Sequence, residues 1–397
     1  MKAKRLLISL LALLTFTMAW ADVEINEANF PDENFRNWVL AQEYGKDGLL
    51  TDEEIAGVNK INVSHKNIQS LKGIEYFTAL TSLSCYTNQL TSLDVSQNTA
   101  LTSLYCDNNQ LTRLDLSNNM ALETLECRNN RLTTLNVSEL AALSNLYCYN
   151  NQLTSLVVSG CSAMTILDCR MNQLTELDVT DCTELFYLRC TSNQLTALDV
   201  SKNTKLDELD CRKNRLTELN VSYNTKIGFL RCSENMLTEL DASNLSEVIS
   251  IYCQQNQLTV LRVPEGNTNL NFLYCYQNQI KGKAMDALLE SMPAKEAGVI
   301  NDFRVIYSSG EQNILTKVQA QAIKAKNWTP LHHVGGYSWE EYEGSDEPTG
   351  IRPTFDPSRN GGEVYDLSGR RISAKPQRGI YIEKQGSAKA NGRKVVK

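Results

Sequence analysis

Between Leu80 and Ile280 the apolar residues recur every 21 positions. That period is too long for one helix or strand and fits a stack of small repeated units. One unit reads Leu101-Thr102-Ser103-Leu104-Tyr105-Cys106-Asp107-Asn108-Asn109-Gln110-Leu111-Thr112-Arg113-Leu114-Asp115-Leu116-Ser117-Asn118-Asn119. Two apolar columns hold the register: Leu83, Leu104, Leu125, Leu146, Leu167, Leu188, Leu209, Leu230, Ile251 and Leu273, then Leu90, Leu111, Leu132, Leu153, Leu174, Leu195, Leu216, Leu237, Leu258 and Ile280. A third column is cysteine: Cys85, Cys106, Cys127, Cys148, Cys169, Cys190, Cys211, Cys232, Cys253 and Cys275, 21 apart with one interval of 22. Leu104 and Cys106 stand two apart, so the pattern predicts a short strand with both on one face and Tyr105 and Asp107 on the other. Ten such strands make a parallel sheet roughly 50 Å long. Each cysteine is followed three residues later by asparagine, from Asn88 to Asn278. An inward amide there satisfies backbone groups left unpaired where the chain bends. The second half of each unit, as in Leu93-Asp94-Val95, repeats the alternation and predicts an extended run on the opposite wall, with too few residues for a helix.

The unit carries the LxxLxLxxN/CxL pattern, with Cys106 in the third leucine place, and from about Leu80 to Ile280 the chain resembles the leucine-rich repeat family. The resemblance implies a mostly β solenoid with a parallel sheet of short strands, small α-containing caps, and recognition rather than catalysis. Cys161 and Cys182 stand outside the main ladder, in the slot of Asn98, Asn203 and Asn224. They either line a second ladder, as the family allows at turn positions, or join neighbouring coils as a disulfide, since strand spacing near 5 Å lies within disulfide range. The ten ladder cysteines read as buried, inert thiols. The paired CxxC clusters of a zinc or iron–sulfur site are absent from the sequence.

The ends predict caps and export. Lys2, Lys4 and Arg5 precede the apolar run Leu6–Met18, and Ala19-Trp20-Ala21 offers a cleavage site, so residues 1–21 read as a secretory signal peptide. Residues 22–78 form an N-terminal cap, with one helix expected over Phe30–Tyr44 and a second opened by a capping box at Thr51 and Glu54. The loop between them resembles half an EF-hand, with Asp47, Gly48, Leu50 and Glu54 in place. Glu43 and Gly45 depart from its calcium-ligating pattern, leaving Asp47 and Glu54 as weak metal candidates. Ile61-Asn62-Val63 and Ile68–Leu71 make an imperfect repeat before the regular series 79–281. Residues 282–344 read as a C-terminal cap with a helix around Ala284–Leu289, a strand at Phe303–Tyr307, a helix over Thr316–Lys326, and Trp328, Trp339 and Tyr342 packed against the last coil. A linker at 345–360 leads to a β module at 361–397 with three strand candidates. This module resembles the C-terminal tails of exported Bacteroidetes proteins, which implies sorting to the outer surface.

Function is expected on the outward positions beside each cysteine. Tyr86, Tyr105, Tyr147, Tyr149, Tyr252, Tyr274 and Tyr276 alternate there with Arg170, Arg189, Arg212 and Arg231. Tyrosine and arginine are the residue types that anchor protein interfaces. The expected ligand is a protein or peptide, including one on a host cell, taken by a monomeric surface or secreted protein. A glycan, or a structural role in the cell envelope, stays open as the alternative. Asp94, Asp115, Asp178, Asp199 and Asp241 line the other wall and need either turn hydrogen bonds or cations to offset their repulsion. GxSxG, HExxH, P-loop and dinucleotide motifs are absent, so neither an enzyme nor a cofactor is expected. A formal charge of -7 without a basic track argues against nucleic acid, and no segment reads as a transmembrane span.

Overall fold

The computed structural model describes residues 22–298 and 301–346, and four strands further on, 363–365, 371–372, 380–384 and 393–396. The expected signal peptide and the expected linker beyond residue 346 lie outside the described residues. The chain divides into two compact units, 1–350 and 351–397.

The first unit is a leucine-rich repeat solenoid built on a single 14-stranded sheet. The sheet starts at Lys60–Asn62, takes one three-residue strand from each repeat between Ser82–Ser84 and Phe272–Tyr274, and ends with Asp302–Ile306, Thr329–Gly335 and Ser338–Glu341. Pairing is parallel until the last strand, which turns back antiparallel. Leucine lies opposite leucine from coil to coil, as in Leu83 with Leu104 and Leu167 with Leu188. Both leucine columns and all ten ladder cysteines are fully buried.

Two asparagine ladders close the coils, and they are built differently. In the first, Asn172 Oδ1 accepts from Leu153 N at 3.0 Å while Nδ2 donates to Cys148 O at 3.2 Å and Cys169 O at 3.0 Å. The same set recurs at every member, and it locks the residue before the asparagine at positive φ although none is glycine, from Thr87 at 55° to Gln277 at 54°. In the second ladder, Asn203 Nδ2 donates to Val179 O and Cys182 O at 2.9 and 2.8 Å, but the Oδ1 atoms of Asn98, Asn119, Asn203 and Asn224 meet no protein donor. A residue with a donor alone can therefore replace asparagine in this slot. Cys161 and Cys182 do so as free thiols, with Sγ donating to Val137 O at 3.1 Å and Val158 O at 3.6 Å. Of the two arrangements open in the sequence, the ladder is the one that forms. Burial pushes the Cys161 thiol up to about 11 and the Cys182 thiol up to about 12.

Among the described residues the expected second wall forms as strands in two pairs, Thr134–Asn136 with Ser155–Val157 and Glu239–Asp241 with Val260–Arg262. These pairs begin at the two coils where the slot holds Leu140 or Leu245. With no amide to reach the neighbouring coil, backbone bonds such as Glu139 N to Ser159 O and Ala242 N to Arg262 O make the connection. In other repeats the burial alternation persists, as in Leu93 and Val95, without a ladder.

The N-terminal helix is shorter than expected. It spans Glu33–Leu40, because Pro31 and the N-cap Asp32 set its start. Asp32 Oδ1 accepts from Phe35 N, and Oδ2 accepts from Gln69 N and Ser70 N, which fastens the cap to the imperfect repeat. The second helix, Asp52–Gly57, carries the expected capping box. The C-terminal cap is two more coils. Asp302–Ile306 and Thr329–Gly335 extend the sheet, with helices Lys283–Ser291 and Lys317–Lys324 on the opposite wall. Trp328 is buried, with Nε1 donating to Pro293 O at 2.8 Å. Asn313 continues the first ladder into the cap, donating to Cys275 O at 2.8 Å and accepting from Ile280 N at 2.8 Å.

The second unit is a four-stranded antiparallel sheet in the order Arg371–Ile372, Glu363–Tyr365, Ile380–Lys384, Arg393–Val396. The first strand candidate of the sequence divides into two strands here, Glu363–Tyr365 and Arg371–Ile372, paired antiparallel.

Two outcomes follow for stability. Asn172→Ala strips partners from one buried N–H and two carbonyls and should cost about 3 kcal/mol, whereas Asn203→Cys should cost under about 1 kcal/mol. Urea unfolding of the two variants against the parent checks the difference. All 12 thiols should resist an aromatic disulfide reagent in the folded protein and react once guanidinium unfolds it.

Candidate functional site: the outward strand face

Three residues of each repeat strand region face outward, not two. Besides the positions flanking the cysteine, the first strand residue does so, adding Tyr187, Glu208, Phe229 and Phe272 to the face. The sheet carries the face into the C-terminal cap, where it gains Asp302, Arg304, Tyr307, His333 and Trp339. These residues were missed because they do not repeat in identity. The signal available was the apolar alternation of Phe303-Arg304-Val305, which marks Arg304 as an outward position.

The aromatic groups fall into clusters. Tyr252 and Tyr274 stack at 4.5 Å with their planes 9° apart. Tyr276, Tyr307 and His333 form a second stack, at 5.2 and 4.1 Å, and Trp339 leans on Tyr276 at 5.0 Å. Trp339 thus joins the face, and of the three cap aromatics only Trp328 is fully sequestered. At the N-terminal end His65 meets the edge of Tyr86 at 5.1 Å. Tyr105 and Tyr147 are half-buried on the same face.

The arginines are not free donors. Arg170 Nε and Nη2 donate to Asp168 at 2.8 and 2.7 Å, and Arg212 grips Asp210 in the same way at 2.8 and 2.6 Å. Arg189 donates twice to Glu208 at 3.0 Å, and Arg231 adds a third bond at 2.7 Å. These bidentate pairs consume the forked donors that made arginine a candidate anchor. They also cover their carboxylates, leaving Asp168 and Asp210 buried on a solvent-facing sheet. The guanidinium groups cover rings as well. Arg128 and Arg170 lie 5.6 and 5.2 Å from the Tyr149 centroid, and Arg304 lies 4.3 Å from Tyr274 and 4.7 Å from Trp339. Contacts of this kind add attraction between cation and ring.

Burial raises the cost of charge on Glu208 and Asp210, but the bonds from Arg189 to Glu208 and from Arg212 to Asp210 outweigh it. Both carboxyls lie below their usual range. Burial acts on Tyr274 in the same sense and here prevails, pushing its hydroxyl up, with Asp302 as acceptor at 2.9 Å reinforcing the shift.

The aspartate column of the other wall is offset by turn hydrogen bonds: Ser96 N donates to Asp94, Ser117 N to Asp115, Thr180 N to Asp178, Ser201 N to Asp199 and Ser243 N to Asp241, all at 2.8–3.0 Å. The EF-hand-like loop does not bring its acids together. Asp47 accepts from Leu49 N, Glu43 bonds Lys46, and Glu54 is held in the capping box by Thr51. A Cβ at Gly45 would stand 2.3 Å from Val39 O, so close approach to the helix end excludes a ligating side chain there. Among the described residues no three acids, histidines or cysteines converge as a metal site.

Comparison with known proteins agrees with this geometry. Residues 30–151 match the model of the leucine-rich repeat domain of the endo-beta-N-acetylglucosaminidase EndoS. Over 70 residues the chain is 40% identical to Internalin J of Listeria monocytogenes, a stretch covering 17% of this chain and 8% of that protein. The solved functional domain of InlJ from Listeria monocytogenes, which includes a cysteine ladder, is 38% identical with a TM-score of 0.61, across 66% of this chain and 58% of that one. YopM from Yersinia enterocolitica shares the fold at 23% identity and a TM-score of 0.51, across 69% and 59%. The fold is thus a leucine-rich repeat solenoid, similar over part of its length to the internalins of Listeria, and the chain spans less than two thirds of the length of those relatives.

The paired carboxylates make stability acid-sensitive. Because the folded values of Glu208 and Asp210 lie below the unfolded ones, their contribution is complete above about pH 5 and is lost as pH falls through the folded values. Thermal melts between neutral pH and about pH 2 should show this decline, and Asp210→Asn should flatten it while costing about 2 kcal/mol at pH 7.

Proposed function

We propose that this chain is a non-enzymatic recognition or adhesion protein that takes a protein or peptide ligand along the outward strand face. The observation that carries the proposal is the run of half-buried tyrosines, Tyr252, Tyr274 and Tyr276, continued by Tyr307 and Trp339 of the cap. It is large, rigid aromatic area of the type that forms interface hot spots.

The packing of these rings favours peptide over sugar. A sugar stacks on an open ring face, but Tyr252 and Tyr274 cover one another and Tyr149 is flanked by two guanidiniums. What these contacts leave uncovered is ring edge, which suits packing against a polypeptide. The sheet's last strand carries Glu340 and Glu341 as exposed residues, a feature that discourages edge-to-edge assembly and supports a monomer. A leader at residues 1–21 and a sorting role for the tail, of the Bacteroidetes type, fit an exported ligand-binding protein that contacts host or neighbouring cells.

Selection of a displayed peptide library, alongside a glycan array, tests this. Selected peptides should lose affinity about tenfold or more on Tyr274→Ala, and further on Tyr147→Ala with Tyr149→Ala. Binders that ignore every strand-face substitution, or that come from the glycan array alone, would sink the proposal.

A further inference from the structure

The two units carry opposite charge. Residues 22–346 hold 41 Asp and Glu against 25 Lys and Arg, whereas residues 363–397 hold 9 Lys and Arg against 3 Asp and Glu. Base and acid are also unevenly placed within the small sheet. Its acidic strand positions, Glu363 and Glu383, are on the two central strands, opposite Lys384 and Arg393 respectively. The outer strands are basic, Arg371–Ile372 with Arg370 before it, and Arg393–Val396 with Lys394. Six positive charges are thus left in excess over a module of 35 residues, enough to be drawn to an anionic surface through several weak contacts at once.

We propose that the C-terminal module is an electrostatic anchor for a phosphate-bearing membrane surface. A bilayer offers many phosphates in one plane, which suits a small sheet with positive charge at both edges. Nucleic acid is the other polyphosphate, but the internalin-like solenoid belongs to secreted and surface proteins. This proposal does not depend on the ligand of the strand face.

The test uses the chain from Asp22 onward, sedimented with phosphatidylcholine vesicles with and without phosphatidylglycerol. It should pellet with the anionic vesicles only and be released near 1 M salt, where the Debye length is about 3 Å. Combining Arg370→Gln, Arg371→Gln, Arg393→Gln and Lys394→Gln should weaken binding about a hundredfold or more, since each such charge near the surface contributes roughly fivefold. Replacing the three arginines by lysine should preserve binding, and so should Lys202→Gln with Lys226→Gln on the solenoid. Equal binding to neutral vesicles, unchanged binding by the fourfold glutamine variant, or equally tight binding to duplex DNA at the same salt would each overturn the assignment.

Discussion

The asparagine amide in the first ladder is the interaction on which the solenoid depends. A coil of 21 residues has only a three-residue strand to pair with each neighbour. Its bend therefore leaves a buried N–H and two carbonyls that no ladder reaches, and buried groups of this kind are costly when unpaired. One asparagine satisfies all three while tying each coil to the one before. It also holds a non-glycine residue in the left-handed region at every turn, a conformation that costs roughly 1–2 kcal/mol when unsupported. The leucines and cysteines provide apolar burial. The amides fix the register in which that burial occurs.

The contrast between the two ladders explains where the sequence is strict and where it drifts. In the first, donor and acceptor are both used, and every repeat from Asn88 to Asn278 keeps asparagine. In the second, Asn98, Asn119, Asn203 and Asn224 use the donor alone, so Cys161 and Cys182 are accommodated as donors, and Leu140 and Leu245 through a switch to backbone pairing. A free thiol in that slot needs neither a disulfide nor a metal to account for it.

Much of the fold was legible because the repeat writes the same side chain at the same place ten times. Leu104, Cys106 and Asn109 announce strand, core and turn without help from a neighbour. The face was only partly legible. Its tyrosines could be read from the alternation, but the fate of the arginines could not: Arg189 is neutralised by Glu208 on the next coil, and Arg231 reaches the same carboxylate from the coil beyond. Tyr307 and Trp339 lie where the period has lapsed, so only the continuing sheet assigns them to the face. The EF-hand resemblance failed at Gly45 for a steric reason that no ligand spacing reveals.

The direction of the amide bonds has a consequence for how the protein is made. Each asparagine completes the coil that precedes it, and Asn313 completes the last one. A chain emerging amino end first during synthesis always has its newest coil unfinished, with the older coils sealed behind it. Growth of the solenoid resembles a zipper whose slider travels with the emerging chain, and the cap helices arrive as its stop.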